Sequence, residues 1–154
     1  MAGQTDARIA ELGITLPEAA KPAGSYVPYV LSGNLLYTSG QIPFGPDGLT
    51  YIGKLGHGIS VEDGQQAARL CALHILAQAK AAIGDLDRIV RVVKLVGFVN
   101  SAPDFGDQPK VINGASDVMV EILGDRGRHA RSAVGVANLP FGVATEVEAI
   151  IEVE

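Results

Sequence analysis

Two residues near the C-terminal end have the types and placement that could do chemistry. Arg131 opens an apolar segment, and Glu146 lies in the alternating stretch that follows it. If the two segments close as a hairpin at Leu139–Phe141, both residues fall on the parity that faces away from the core. A guanidinium placed there grips a carboxylate through two parallel hydrogen bonds, while the glutamate handles a water as general base. A cross-strand or diagonal ion pair on one sheet face accounts for the same residues. Sequence physics leaves both readings open.

Other polar groups carry weaker signals. The run Gly48-x4-Gly53-Lys54 nearly matches a phosphate-binding loop, but Leu55 stands where magnesium coordination needs Ser or Thr. A flexible glycine loop is the better reading. His57, His74 and His129 lack the paired spacing of a zinc site, so no metal is expected. His74 falls within an apolar helix and reads as a core or interface histidine. His57 sits in a loop, where it could border a site. Cys71 shares the helix of His74 and reads as an inert buried thiol. Asp85, Asp87 and Arg88 read as a solvated turn.

The elements that must position these groups follow from pattern and punctuation. Residues Thr5 to Leu12 suit a short helix stopped by Gly13. Two strands are expected in Tyr26–Leu31 and Leu35–Thr38, around the turn Ser32-Gly33-Asn34, with a third short strand near Leu49–Ile52. Ser60 and Asp63 have the form of a capping box, and the helix it starts runs through Ile83 to a stop at Gly84. Ile89–Val99 is apolar at both parities: Val90, Val92, Val96 and Phe98 on one, Ile89, Val93, Leu95 and Val99 on the other. A second helix after Pro109 shows Val111, Ala115, Val118 and Ile122 at helical spacing. Strands at Arg131–Ala137 and Val143–Val153 alternate with period two and are expected to pair antiparallel, with Ser132, Val134 and Val136 on one parity of the first. The order β-β-β-α-β-α-β-β implies an α+β fold with both helices on one face of an antiparallel-rich sheet. The second face, apolar in places, calls for cover by another subunit.

Composition limits the classes. A chain of 154 residues with 47% hydrophobic and 19% charged residues suits one folded domain. Residues 1–20 read as an annex and 21–154 as the domain. No apolar run is long enough for a membrane span, and no secretory leader is visible, so a cytoplasmic protein without membrane contact is expected. The single cysteine excludes an intramolecular disulfide, and the net charge of −5 disfavours a partner such as nucleic acid.

At these same residues the chain resembles the Rid family of reactive intermediate deaminases, also known as YjgF-like or endoribonuclease L-PSP-like proteins. The resemblance rests on Pro22-Ala-Gly-Ser-Tyr26, Thr38-Ser-Gly-Gln-Ile-Pro43, Ala130-Arg-Ser-Ala-Val134, Leu139-Pro140 and Glu146-Val-Glu-Ala-Ile150, in order, from about Lys21 to Val153. It implies a chorismate-mutase-like fold, a homotrimer with clefts between subunits, and no cofactor. It further implies that Arg131 binds the carboxylate of a 2-imino acid or its enamine tautomer and that Glu146 activates the hydrolytic water. Tyr26, Ser39, Gly40 and Asn113 would line the cleft, with main-chain groups around Ala133 holding water or the imine nitrogen. The implied reaction is deamination to a 2-keto acid and ammonia. The alternatives are a small-carboxylate-binding trimer without turnover and, behind it, the old ribonuclease label. His129 stands where Pro or Ala is common in the family, and Ala133 where many members have Cys.

Overall fold

A computed structural model describes residues 3–154 of the chain. Helix α1, Gln4–Glu11, has Gly3 at its N-cap and therefore no capping side chain of its own. The Asp87 carboxylate, far along the chain, supplies the cap: it accepts from the amides of Gln4 and Thr5, both at 2.8 Å, and from the Thr5 hydroxyl at 2.6 Å. These bonds hold the Asp87 pKa below its ordinary value. Lys80 bonds Asp6 at 3.0 Å, and Arg126 donates to the Thr5 hydroxyl at 3.0 Å. The expected solvated turn at Asp85–Arg88 is thus an anchor for the N-terminal helix.

The hairpin of β1 (Tyr29–Ser32) and β2 (Leu35–Thr38) turns through Gly33, whose φ of 62° favours glycine. The expected third strand does not join the main sheet. Instead β3 (Phe44–Gly45) and β4 (Gly48–Leu49) fold on each other, and Ile52 makes a lone bridge to Val143. Two further short strands, β5 (Lys54–Leu55) and β6 (Gly58–Ile59), pair within the glycine-rich loop. Helix α2, Val61–Ile83, begins where expected: the Ser60 hydroxyl accepts from the Asp63 amide at 3.1 Å, and Gly84 ends it at φ 82°.

Strand β7 (Ile89–Asn100), helix α3 (Gln108–Leu123), strand β8 (Ala130–Val136) and strand β9 (Thr145–Val153) complete the fold. The five-stranded main sheet has the order β1-β2-β9-β7-β8. β8 runs parallel to β7 and does not touch β9, which corrects the expected antiparallel hairpin. The cause is α3, a crossover long enough to return the chain alongside β7 in the same direction. The loop after β8 then carries β9 past β7 to its other side.

Two irregularities in β7, between Ile89 and Arg91 and between Val92 and Lys94, also correct its expected parities. Ile89, Val92, Leu95 and Val99 all face the core, because each extra residue moves the following side chains to the other face. β9 is regular: Thr145, Val147, Ala149, Ile151 and Val153 are buried and alternate with half-buried Glu146, Glu148, Ile150 and Glu152.

Helices α2 and α3 cover one face of the sheet. The core lies between Leu36, Leu95, Val147 and Ile151 on the strands and Cys71, Ile75, Ile112 and Met119 on the helices. Small residues set the spacing. A Cβ at Gly97 would lie 2.6 Å from Ile112, and one at Gly114 would lie 2.0 Å from the Gln65 carbonyl oxygen on α2. The opposite face leaves Val30, Tyr37, Val90 and Val134 exposed. No helix among the described residues is long and apolar enough to cross a membrane.

The Gly114 contact generates a stability prediction. Gly114→Ala forces backbone apart between two packed helices and is expected to cost about 1–3 kcal/mol, lowering the melting temperature by several degrees. An unchanged thermal transition would show that the helix pair does not depend on this approach.

Candidate functional site

The chemistry-bearing residues collect in two places. The first is a cavity of about 180 Å3 whose lining includes Tyr26, Ser39, Gly40, Phe44, Phe141 and Glu146. Its wall is built where β2 ends. The Ser39 amide donates to the Pro28 carbonyl at 2.8 Å, and its hydroxyl donates to the Val27 carbonyl at 2.7 Å. Gln41 then exchanges backbone bonds with Val147, at 2.8 and 3.0 Å. This brings Gly40 against Glu146 so closely that a Cβ on Gly40 would lie 2.5 Å from the carboxylate oxygen Oε1. Glycine is needed here for close approach, not for its backbone angles. Burial, then the neighbouring Glu148 charge, raises the Glu146 pKa above its ordinary 4.5. A carboxyl so tuned holds a proton more readily than an exposed one, which suits it to take a proton from water and return it.

The second place is the edge of the sheet under α3. The Arg131 Nη1 donates to Asn113 Oδ1 at 2.8 Å and to Ser116 Oγ at 3.2 Å. Ala133 packs beside it against the core, in register with Gly97. Arg131 is in register with buried Leu95, whereas Glu146 is in register with Phe98. The two side chains therefore leave opposite faces of the sheet, with β7 between their strands. Their expected shared parity is corrected by the small residues Ala133 and Gly135, which face α3 because a helix packs closest over small side chains. Val134 turns outward. Among the described residues no ion pair joins Arg131 to Glu146 or Glu148, so the bland salt-bridge reading does not account for either group within one chain.

The remaining candidates have structural work. Lys54, the lysine of the near phosphate loop, donates from Nζ to Asn100 Oδ1 at 2.7 Å and to the Ala137 carbonyl. Cys71 is fully buried and bonded to Thr145, and burial pushes its pKa up to about 12, so it is no nucleophile. His74 is buried with Nε2 at 3.0 Å from the Phe44 carbonyl and its ring edge-on to Phe44, bracing the cavity wall from behind. His57 is exposed in the turn after Lys54. Three further residues contribute. Ser116 lies one helical turn after Asn113, and His129 shares the strand parity of Arg131; both spacings were readable. Phe141, 69% exposed and at φ 59°, gave no sequence cue.

Comparison with known proteins decides the family. The model of the family described as "YjgF/chorismate_mutase-like, putative endoribonuclease" matches residues 6–152. The chain belongs to the YjgF, or Rid, family. Protein TCP17 of Trypanosoma cruzi is 54% identical over 151 residues, covering 97% of this chain and 94% of that protein. The 2-iminobutanoate/2-iminopropanoate deaminase of Dermatophagoides farinae is 31% identical, covering 92% and 95%. The crystal structure of Atu1372, a protein of unknown function from Agrobacterium tumefaciens, superposes with a TM-score of 0.91 at 51% identity, covering 97% and 92%. The fold is accordingly the chorismate-mutase-like α+β fold of the Rid family, with one main sheet and three α-helices.

The Gly40–Glu146 contact is open to direct test. Gly40→Ala is expected to displace the carboxylate toward solvent, and its pKa should fall back toward 4.5. Carbon-detected NMR titration of the Glu146 carboxyl reads this, and an unshifted titration would contradict the packing described.

Proposed function

We propose that this Rid protein hydrolyses 2-imino acids, and their enamine tautomers, to 2-keto acids and ammonia, at sites completed between copies of the chain in a homotrimer. The observation that carries this reading is the division of the two functional groups. Glu146 has a raised pKa and a cavity but no cation within bonding distance among the described residues. Arg131 is held by Nη1 alone and keeps its Nε and Nη2 donors without acceptors among the described residues. One half awaits an anion and the other a positive substrate. A second copy seated on the uncovered sheet face, where Val30, Tyr37 and Val134 are exposed, would bring the halves together and bury that face. The deaminase named among the relatives carries the same chemistry in its name.

In this reading the substrate carboxylate pairs with Arg131, which neutralises its charge and fixes its plane. Tyr26, Ser39 and Gly40 border the imine. A water between Glu146 and the imine carbon loses a proton to the carboxylate as its oxygen attacks, and the C=N electrons move to nitrogen. Glu146 then returns the proton to the amine of the tetrahedral intermediate. With the substrate entering as the iminium, the nitrogen is now NH3+. The C–N bond breaks to release ammonia, the hydroxyl oxygen's electrons form the C=O bond of the keto acid, and the hydroxyl proton passes to the ionised Glu146. Main-chain groups near Ala133 hold the water or the nitrogen.

The test is release of ammonia and keto acid from imines generated in place by an amino-acid oxidase. Acceleration over buffer is expected. Glu146→Gln should lower turnover by about 10²–10⁴-fold, and Arg131→Lys should not restore what Arg131→Ala loses, since lysine lacks the planar fork. Absence of acceleration with several imines contradicts the reading. Tight keto-acid binding without turnover would leave a small-carboxylate-binding protein.

A further inference from the structure

We propose that Ser116 and His129 are positioning residues that orient the Arg131 guanidinium for a carboxylate, an inference that rests on the proposed reading of Arg131. A hydrogen-bond chain of fixed direction runs from the backbone to Arg131. At one end the Gly127 carbonyl, which can only accept, lies 2.6 Å from His129 Nδ1, so Nδ1 carries the ring proton. The neutral ring then has Nε2 as an acceptor, 2.9 Å from Ser116 Oγ, and the serine hydroxyl donates to it. With its proton committed there, the hydroxyl oxygen offers its lone pairs to Arg131 Nη1, 3.2 Å away. Arginine can only donate, so the other end is fixed as well. Each bond of the chain has one donor and one acceptor, and with a neutral ring only this arrangement satisfies it.

The consequence for Arg131 is geometric. Ser116 and Asn113, one turn apart on α3, both take their bond from Nη1. The Nε–Nη2 edge stays free, and that edge presents two parallel donors to two carboxylate oxygens. Asn113 is exposed and bonds Arg131 with no further support among the described residues, whereas Ser116 is backed by a ring that is itself anchored to the backbone. Burial lowers the His129 pKa, the Gly127 bond opposes this, and the Arg131 charge lowers it further. The ring is thus kept in the neutral form that the chain requires. Glutamine has one amide donor for Gly127 and one carbonyl acceptor for Ser116, so it can replace both functions of the ring.

The experiment has two arms on the full chain. In the first, calorimetry measures 2-oxobutanoate binding to the unsubstituted protein, Ser116→Ala, His129→Ala, His129→Gln and Arg131→Ala. Arg131→Ala should not bind. Ser116→Ala and His129→Ala should bind about tenfold more weakly, the loss of one orienting hydrogen bond, with melting temperatures little changed, and His129→Gln should recover most of the affinity. Unaltered affinity in His129→Ala alongside lost binding in Arg131→Ala overturns the positioning role while leaving Arg131 its function. In the second arm, relaxation of the Arg131 Nε–H signal, without ligand, should report greater mobility in His129→Ala than in His129→Gln. If the unsubstituted protein does not bind 2-oxobutanoate, it is the reading of Arg131 that fails; equal order in all variants overturns the positioning itself.

Discussion

The close seating of α3 on β7 and β8 is the constraint on which the rest depends. Gly97 and Ala133 keep the sheet low under Ile112, and Gly114 lets α3 reach the α2 backbone. A helix seated so deeply over the edge strand brings its own Asn113 and Ser116 within hydrogen-bond reach of Arg131. It is also the crossover that returns β8 parallel to β7, and so keeps β8 away from β9. From one packing decision follow both the orientation of the guanidinium and its separation from Glu146. The separation is what makes a single copy of the chain an incomplete site in the proposed function.

Much of this architecture is legible in the sequence. The Ser60 cap and Gly84 stop mark α2 to the residue, because capping is local chemistry. The alternation of β9 shows its buried face, because nothing interrupts its pleat. The family motifs pick out Tyr26, Ser39, Gly40 and Glu146, which do gather in one cavity. The failures share a cause. Parity in β7 changes at two irregularities that leave no mark in residue type, and in β8 the small residues, not the hydrophobic ones, mark the side a helix packs on. Asp87, read as solvated, caps a helix more than eighty positions away, a partnership that only the folded chain creates.

The electrostatics divide the ionisable groups by task. Cys71 and Lys54 are engaged in packing or in holding neighbouring groups, and His74 is buried with Nε2 on the Phe44 carbonyl while its Nδ1 has no partner among the described residues. Glu146 is the exception on the cavity side, kept half-buried beside Gly40 at the expense of an easily ionised carboxyl. Arg131 is the exception on the edge, with the donors of Nε and Nη2 unspent among the described residues. Groups left in this state lower the stability of an isolated chain and gain it back on association or ligand binding, a common signature of functional sites.

In the proposed function one site draws Arg131 from one copy and Glu146 from another. The direct measurement is the activity of mixed oligomers assembled from Arg131→Ala and Glu146→Gln chains, each inactive alone. With equal, random mixing in a cyclic trimer, about one site in four combines an intact Arg131 from one chain with an intact Glu146 from its neighbour, so roughly a quarter of the unsubstituted imine hydrolysis should return. Mixed trimers that assemble, as seen by native mass spectrometry, yet stay inactive would contradict the account.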